Sequence, residues 1–342
     1  MTSSLFLCFV LSSFNFIFNY ISLEALTLTS IIMIAITGSN SFILESLLNY
    51  FFISAISSVF FIIGISIIFL YSLPLNFHNF RESFDLKLHL LDYNILYSDY
   101  LLILGIFCIL VFFLIKIGLF PFFFWLPKFY NSISFILFYF LIIIKFAFVL
   151  NFFRLINYLC IPWENIFLPV FYICSLGSII VGCIGAICAN NLKYFLTFTS
   201  INNLGYVFMG FSTTSYMGWY YSFFFLIVYF LNFIIFFISI IFIKEFDNNN
   251  FNIIKNDISF LKLSSIIKYN KNVWLNILLL ISFFSISGLP PFASFILKIN
   301  LLNEVWLFGN FFLVFISLVA SFISIFYYFK LVKCLLINRN IK

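Results

Sequence analysis

The chain has 342 residues, of which 65% are hydrophobic and 8% charged, with a formal net charge of +6. Soluble domains carry about 25% charged residues, and a folded monomer cannot hide this much apolar surface from water. Disorder requires low hydrophobicity and high charge, so both soluble classes are excluded and the remaining solvent is lipid.

A membrane-spanning helix needs about 20 apolar residues. Long unbroken apolar runs, such as Phe51 to Leu70 and Tyr220 to Ile243, point to helices. A transmembrane barrel would instead show short segments of alternating polarity. The first run, 4–13, is a stub too short to cross alone. Spanning segments are then predicted over 15–37, 43–71, 99–126, 132–153, 166–190, 192–211, 218–243, 273–308 and 310–336. With the stub this makes about ten helices, in an all-α polytopic membrane protein read as one membrane domain over 1–342. Polar breaks fall at 72–98 and 244–272, the second with Asp247-Asn248-Asn249-Asn250 and five Lys. The chain begins Met-Thr-Ser-Ser and enters the membrane at once, without a basic secretory n-region or an Arg-rich transit segment.

Basic residues set the expected orientation. By alternation, one side carries Lys128, Lys193, Lys244, Lys255, Lys262, Lys268, Lys271, Lys330, Lys333, Arg339 and Lys342. The other carries Arg81, Lys87 and Arg154. Basic loops stay on the inner side, so loop 244–272 and the C-terminus are expected inside. The seven Cys show no Cys-x-x-Cys spacing, and neither a zinc nor an iron–sulfur site is expected. His78 and His89 share one polar loop and read as solvated. The 57 Phe suit lipid-facing positions, or reflect an AT-rich coding genome.

Three basic residues belong to neither surface: Lys116, Lys145 and Lys298 lie within apolar runs. Glu24 does too, in Tyr-Ile-Ser-Leu-Glu-Ala-Leu-Thr-Leu, while Glu45 stands nearer a helix start, where the dipole favours an acid. A charge at mid-bilayer costs at least about 2.5–3.5 kcal/mol. The alternative is a lysine that snorkels to the interface; it suits Lys145 least, 13 residues into its segment. Two spans are interrupted, at Lys116-Ile-Gly-Leu-Phe-Pro121 and at Gly288-Leu-Pro290-Pro291, with Lys298 seven residues beyond. Proline removes a backbone donor, and in lipid the freed carbonyls need partners in protein or water. One broken helix per half, each with a lysine, is the pattern of inverted-repeat transporters. The repeats are placed at 4–153, with its first helix truncated, and at 166–336. Burial disfavours the charged form of an amine and a nearby carboxylate restores it. A Glu–Lys relay at mid-membrane therefore suits proton transfer, with Thr197 to Asn203 as polar filling. No helix spacing links Glu24 to Lys116.

At these residues the chain resembles the antiporter-like membrane subunits of respiratory complex I. The match runs through Tyr20 to Leu28, Glu45 to Phe52, Lys116 to Tyr130 followed by Lys145, Leu192 to Tyr206, and Ser285 to Lys298. It holds from about residue 4 to 336. Lys298 separates the chain from the branch with glutamate there, and Lys145 from the branch with histidine. The sequence departs at Asn203 and Phe123, where histidine is common, and at Lys128, where an acid is. It departs also at Ser294 and Leu297, where glycines are common, and at Asn49, where bacterial forms carry lysine. Bacterial forms have fourteen helices; the three before the repeats and the one after are expected to be absent here.

The resemblance implies proton translocation coupled to NADH:ubiquinone electron transfer in other subunits. Glu24, Lys116, Lys145 and Lys298 would form the relay. Pro121, Gly288, Pro290 and Pro291 would make the helix breaks, with Glu45 and Asn203 secondary. It implies no metal or cofactor in this chain, with FMN, iron–sulfur clusters and ubiquinone elsewhere in the complex. Partners would be other membrane-arm subunits, antiporter-like ones among them, and phospholipids, but no nucleic acid. The expected location is the mitochondrial inner membrane, with loop 244–272 on the matrix side. Two alternatives stay open: a subunit of a multi-subunit cation/proton antiporter, and a structural subunit whose proton path is inactive.

Overall fold

A computed structural model describes residues 2–37, 41–72, 97–159, 164–245 and 273–337. His78, His89, Cys160, Arg81, Lys87, Arg339, Lys342 and most of the loop at 244–272 lie outside these residues. The described residues form helices α1 (Thr2–Ser12), α2 (Phe16–Thr37), α3 (Ser41–Ser72), α4 (Tyr97–Ile117), α5 (Trp125–Ser132) and α6 (Phe135–Leu159). They continue with α7 (Glu164–Cys188), α8 (Leu192–Phe211), α9 (Tyr216–Glu245), α10 (Val273–Ser287), α11 (Ala293–Leu307) and α12 (Phe311–Ile337).

Seven of these helices are long and apolar enough to cross a membrane, among the described residues: α2, α3, α4, α6, α7, α9 and α12. The expected count was about ten, and the difference has physical causes. The stub is α1, with 11 residues too short to cross alone, while the predicted span 99–126 still contributes α4, which stops at Ile117 ahead of the separate 8-residue α5. Span 273–308 divides into two helices of 15 residues each. Helix α8 has 20 residues, enough for a bilayer, but Lys193, Thr197, Thr199, Ser200, Asn202 and Asn203 lower its apolarity. It tolerates them because nearly all of it is buried.

The chain divides into two compact units, Met1–Gly118 with Phe122–Phe167, and Leu119–Pro121 with Leu168–Lys342. In the first unit, α2 is amphipathic with its polar side inward. Asn19, Ser22, Thr27 and Ser30 are buried, while Ile17, Phe18, Ile21, Leu28 and Ile32 are exposed. Lipid as the outer solvent explains this inversion, because apolar side chains lose nothing there. Buried hydroxyls bond to carbonyls one turn back, as Ser22 does to Asn19 (2.8 Å) and Ser54 to Phe51 (2.8 Å). The Asn19 and Asn151 amides bond reciprocally, at 3.1 and 2.7 Å, and join α2 to α6. Helices α3 and α4 meet backbone to backbone: a Cβ on Gly64 would lie 2.7 Å from the Gly105 carbonyl oxygen. Small residues permit such approaches between membrane helices. Tyr50 of α3 stacks on Trp125 (5.3 Å) and Phe129 (4.4 Å), which seats α5.

In the second unit, α9 packs on α8, α10 and α11, and α12 packs on both halves of the broken pair α10 and α11. Helix α8 lies against α9 and α11. Its Tyr206 hydroxyl donates to the Ser317 carbonyl of α12 at 2.8 Å.

Candidate functional site

The first unit places Lys116 in the last turn of α4, where a cation complements the helix dipole. The helix stops because Gly118 takes φ +69°, a conformation that needs a residue without Cβ. Its N–H donates to the carbonyls of Leu114 (2.9 Å) and Ile115 (3.2 Å), which is the αL form of helix ending. The indole N–H of Trp125 also donates to the Ile115 carbonyl, at 3.2 Å. The break thus finds its donors inside the protein, as a lipid environment requires. Pro127 stands in the first turn of α5, where its missing N–H costs no intrahelical bond.

Lys116 Nζ lies 3.2 Å from Glu24 Oε1. The contact joins two residues that no spacing connected. Glu24 is held in turn by the Thr27 hydroxyl, which donates to its Oε2 at 3.2 Å. The ammonium also faces the rings of Phe112 (5.5 Å) and Phe148 (6.0 Å). Phe112 is four residues back on the same helix, the direction in which helical side chains lean. Phe148 stands on α6, three residues after Lys145, so Lys145 and one wall of the Lys116 site share a helix face. Lys145 is buried. Glu45 is exposed in the second turn of α3, apart from this cluster.

The second unit holds Lys298 at its own break. Helix α10 ends at Ser287, and Gly288 follows with φ +78°. The N–H of Gly288 donates to Ser285 (3.2 Å) and that of Leu289 to Phe284 (3.4 Å), the two bonds of a Schellman ending. Pro290 and Pro291 then prevent continuation. The Ser294 hydroxyl donates to the Ser285 carbonyl. The Ser287 carbonyl accepts from Lys298 Nζ (3.4 Å) and from the Ser324 hydroxyl (3.5 Å). Lys298 therefore folds back from α11 to the carbonyl end of α10. Its ammonium lies 4.8 Å from the Tyr206 ring centre and 5.8 Å from that of Phe225. Each break thus carries a lysine at the negative end of its first half-helix.

Asn203 is buried on α8. Pro121 lies exposed in the first break. Lys193, counted with the surface lysines from sequence, is instead buried; with 18 of its 20 residues buried, α8 leaves its first turn little solvent face. Sequence reasoning also missed the Asn19–Asn151 pair and the aromatic walls around both lysines. Asn19 was findable, since it shares a helical stripe with Ser22, Thr27 and Ser30.

The family described as NADH:quinone oxidoreductase/Mrp antiporter, transmembrane, matches residues 13–324. NADH-quinone oxidoreductase subunit N of Pelagibacter ubique is 31% identical over 248 residues, covering 71% of this chain and 50% of that protein. NADH-ubiquinone oxidoreductase chain 2 of Marchantia polymorpha is 28% identical over 329 residues, covering 95% of this chain and 63% of the relative. The chain thus spans about half to just under two thirds of these curated relatives. A chain in the structure of respiratory complex I from Thermus thermophilus with bound aureothin superposes with a TM-score of 0.74 at 22% identity. That match covers 98% of this chain and 69% of the other, and speaks for the fold alone.

Proposed function

This chain belongs to the NADH:quinone oxidoreductase/Mrp antiporter transmembrane family, and on that premise we propose that it is a proton-translocating membrane-arm subunit of respiratory complex I, of the subunit N or chain 2 kind. Electron transfer from NADH to ubiquinone takes place in other subunits, which carry the FMN, the iron–sulfur clusters and the quinone site. This chain has no redox centre. It moves protons through Glu24, Lys116, Lys145 and Lys298.

The observation that carries this reading is the Glu24–Lys116 ion pair, 3.2 Å across, at the end of a broken helix. A buried ammonium keeps its proton while the carboxylate stands beside it and yields it when the carboxylate moves. Lys145 and Lys298 are the further stations. The segments 4–153 and 166–336 are its two five-helix repeats, and the order of elements supports this. In each the fourth element is broken: α4 with α5, and α10 with α11. Its partners are the other membrane-arm subunits, antiporter-like ones among them, and phospholipids.

The protein resides in the mitochondrial inner membrane, with loop 244–272 and the C-terminus on the matrix side. The basic-residue bias supports that orientation, ten against three once Lys193 is set aside. The test is NADH-driven proton uptake in sealed vesicles holding the assembled complex. Lys145→Ala should abolish coupled proton uptake while assembly persists. Normal coupled uptake in that variant would sink the proposal, and sodium-dependent transport without NADH oxidation would move the chain to the antiporter class.

A further inference from the structure

Lys193 has no part in the relay just proposed, yet its burial needs a reason. It is only 4% exposed and occupies the first turn of α8. A buried cation loses its hydration, and at a helix N-terminus it also meets the positive end of the dipole. A solvated face would incur neither cost.

From Lys193 a line of polar side chains runs along α8: Thr197, Ser200, Asn203 and Tyr206. Successive members are three or four residues apart, so each adjoins the next on the helix surface. All four are buried. At a rise of about 1.5 Å per residue the line covers about 20 Å, and it ends at the Tyr206 ring, 4.8 Å from Lys298 Nζ. The Thr197 and Ser200 hydroxyls donate to the carbonyls of Tyr194 and Thr197, each at 2.7 Å. A hydroxyl that donates to a carbonyl can also accept a hydrogen bond from water. A cation at one end, a cation at the other and hydroxyls and an amide between them make a proton line. As packing for a buried helix, apolar side chains would serve better.

We propose that Lys193 is the terminal proton-exchange residue of the second unit, linked to Lys298 through Thr197, Ser200 and Asn203. The step is proton transfer alone. An N–H bond at Lys193 breaks as an O–H bond forms on a bridging water, and the amine regains a proton from the membrane face. The inference rests on the proton-translocating reading above.

The test uses the assembled complex in sealed vesicles, with NADH-driven proton uptake measured per assembled complex. Arginine keeps the charge but does not release its proton, whereas histidine exchanges one. Lys193→Arg should lower uptake about a hundredfold, the lower end of what a positioned proton-transfer group contributes. Lys193→His should keep a clearly measurable rate. Wild-type uptake in Lys193→Arg overturns the proposal, because a structural cation would be rescued by arginine. If the Lys193 variants do not assemble, the combined Thr197→Val and Ser200→Ala variant decides, since it leaves every charge in place. Wild-type uptake there also overturns the proposal, and a large loss supports it. Lys298→Met separates the two levels. If it is inactive while Lys193→Arg is active, only this inference fails; if it pumps normally, the proton-translocating reading fails.

Discussion

Glu24→Gln removes one charge from a pair standing 3.2 Å apart. At that distance, in an effective dielectric of about 20, opposite charges attract by about 5 kcal/mol. The Lys116 side chain is 3% exposed and that of Glu24 20%, so solvent screens part of the attraction. The expected coupling is about 3 kcal/mol, at the low end of the cost of orphaning one buried partner. Lys116→Met and Glu24→Gln should each destabilise the protein, and the double variant should be less destabilised than their sum by that coupling. The assay is thermal unfolding of the assembled complex, beside NADH-driven proton uptake in vesicles. Stability should partly return in the double variant, but proton uptake should not. Additive single effects, within about 0.5 kcal/mol, would show that the pair carries no energy. Native uptake in the double variant would show that it holds no transported proton.

Of the three positive-φ glycines among the described residues, Gly288 and Gly309 (φ +89°) offer a matched comparison. Alanine in the left-handed region costs about 1–2 kcal/mol at either site. At Gly288, however, the new methyl would meet Lys298 Nζ at 3.2 Å, whereas nothing lies within 4 Å at Gly309. Both variants should lose thermal stability, and only Gly288→Ala should lose proton uptake. Asn19→Leu or Asn151→Leu alone leaves a buried amide unpaired and should cost about 1–3 kcal/mol; the double replacement should recover most of it, read as a melting temperature. Trp125→Phe withdraws the indole donor from the Ile115 carbonyl and should cost about 1 kcal/mol, with hydrogen exchange rising at the first break.

Much of the fold was legible because lipid imposes simple rules. Apolar runs had to be helices, and prolines at 121, 290 and 291 had to interrupt them. The exact ends of the broken spans were less legible, since Gly118 and Gly288, rather than the prolines, stop the helices. Within the candidate site, the three buried lysines and the half-buried Glu24 stood out as charges without a surface. Their partners did not. Glu24 and Lys116 lie on helices with no shared periodicity, so only packing brings them together. In sequence Lys298 lies beyond its break, and its return to the Ser287 carbonyl depends on a side chain folding back on the helix before. Lys193 was misread because alternation assigns every basic residue near a helix end to a surface. That rule knows nothing of a helix buried at nearly every residue.

The aromatic walls around Lys116 and Lys298 bear on how the proposed relay would avoid leaking. A ring face attracts a cation through its quadrupole, so the phenyl rings of Phe112, Phe148 and Phe225 each ease an ammonium in the place where water would. A water shell would accept the proton as readily as it cushions the charge. The ring faces have no basic site and cannot. They act as insulation: charge is tolerated at these stations, yet its exits narrow to the few oxygen atoms in reach. At Lys116 one of these belongs to Glu24, so a short circuit is discouraged by the same abundance of phenylalanine that first marked the chain as unusual.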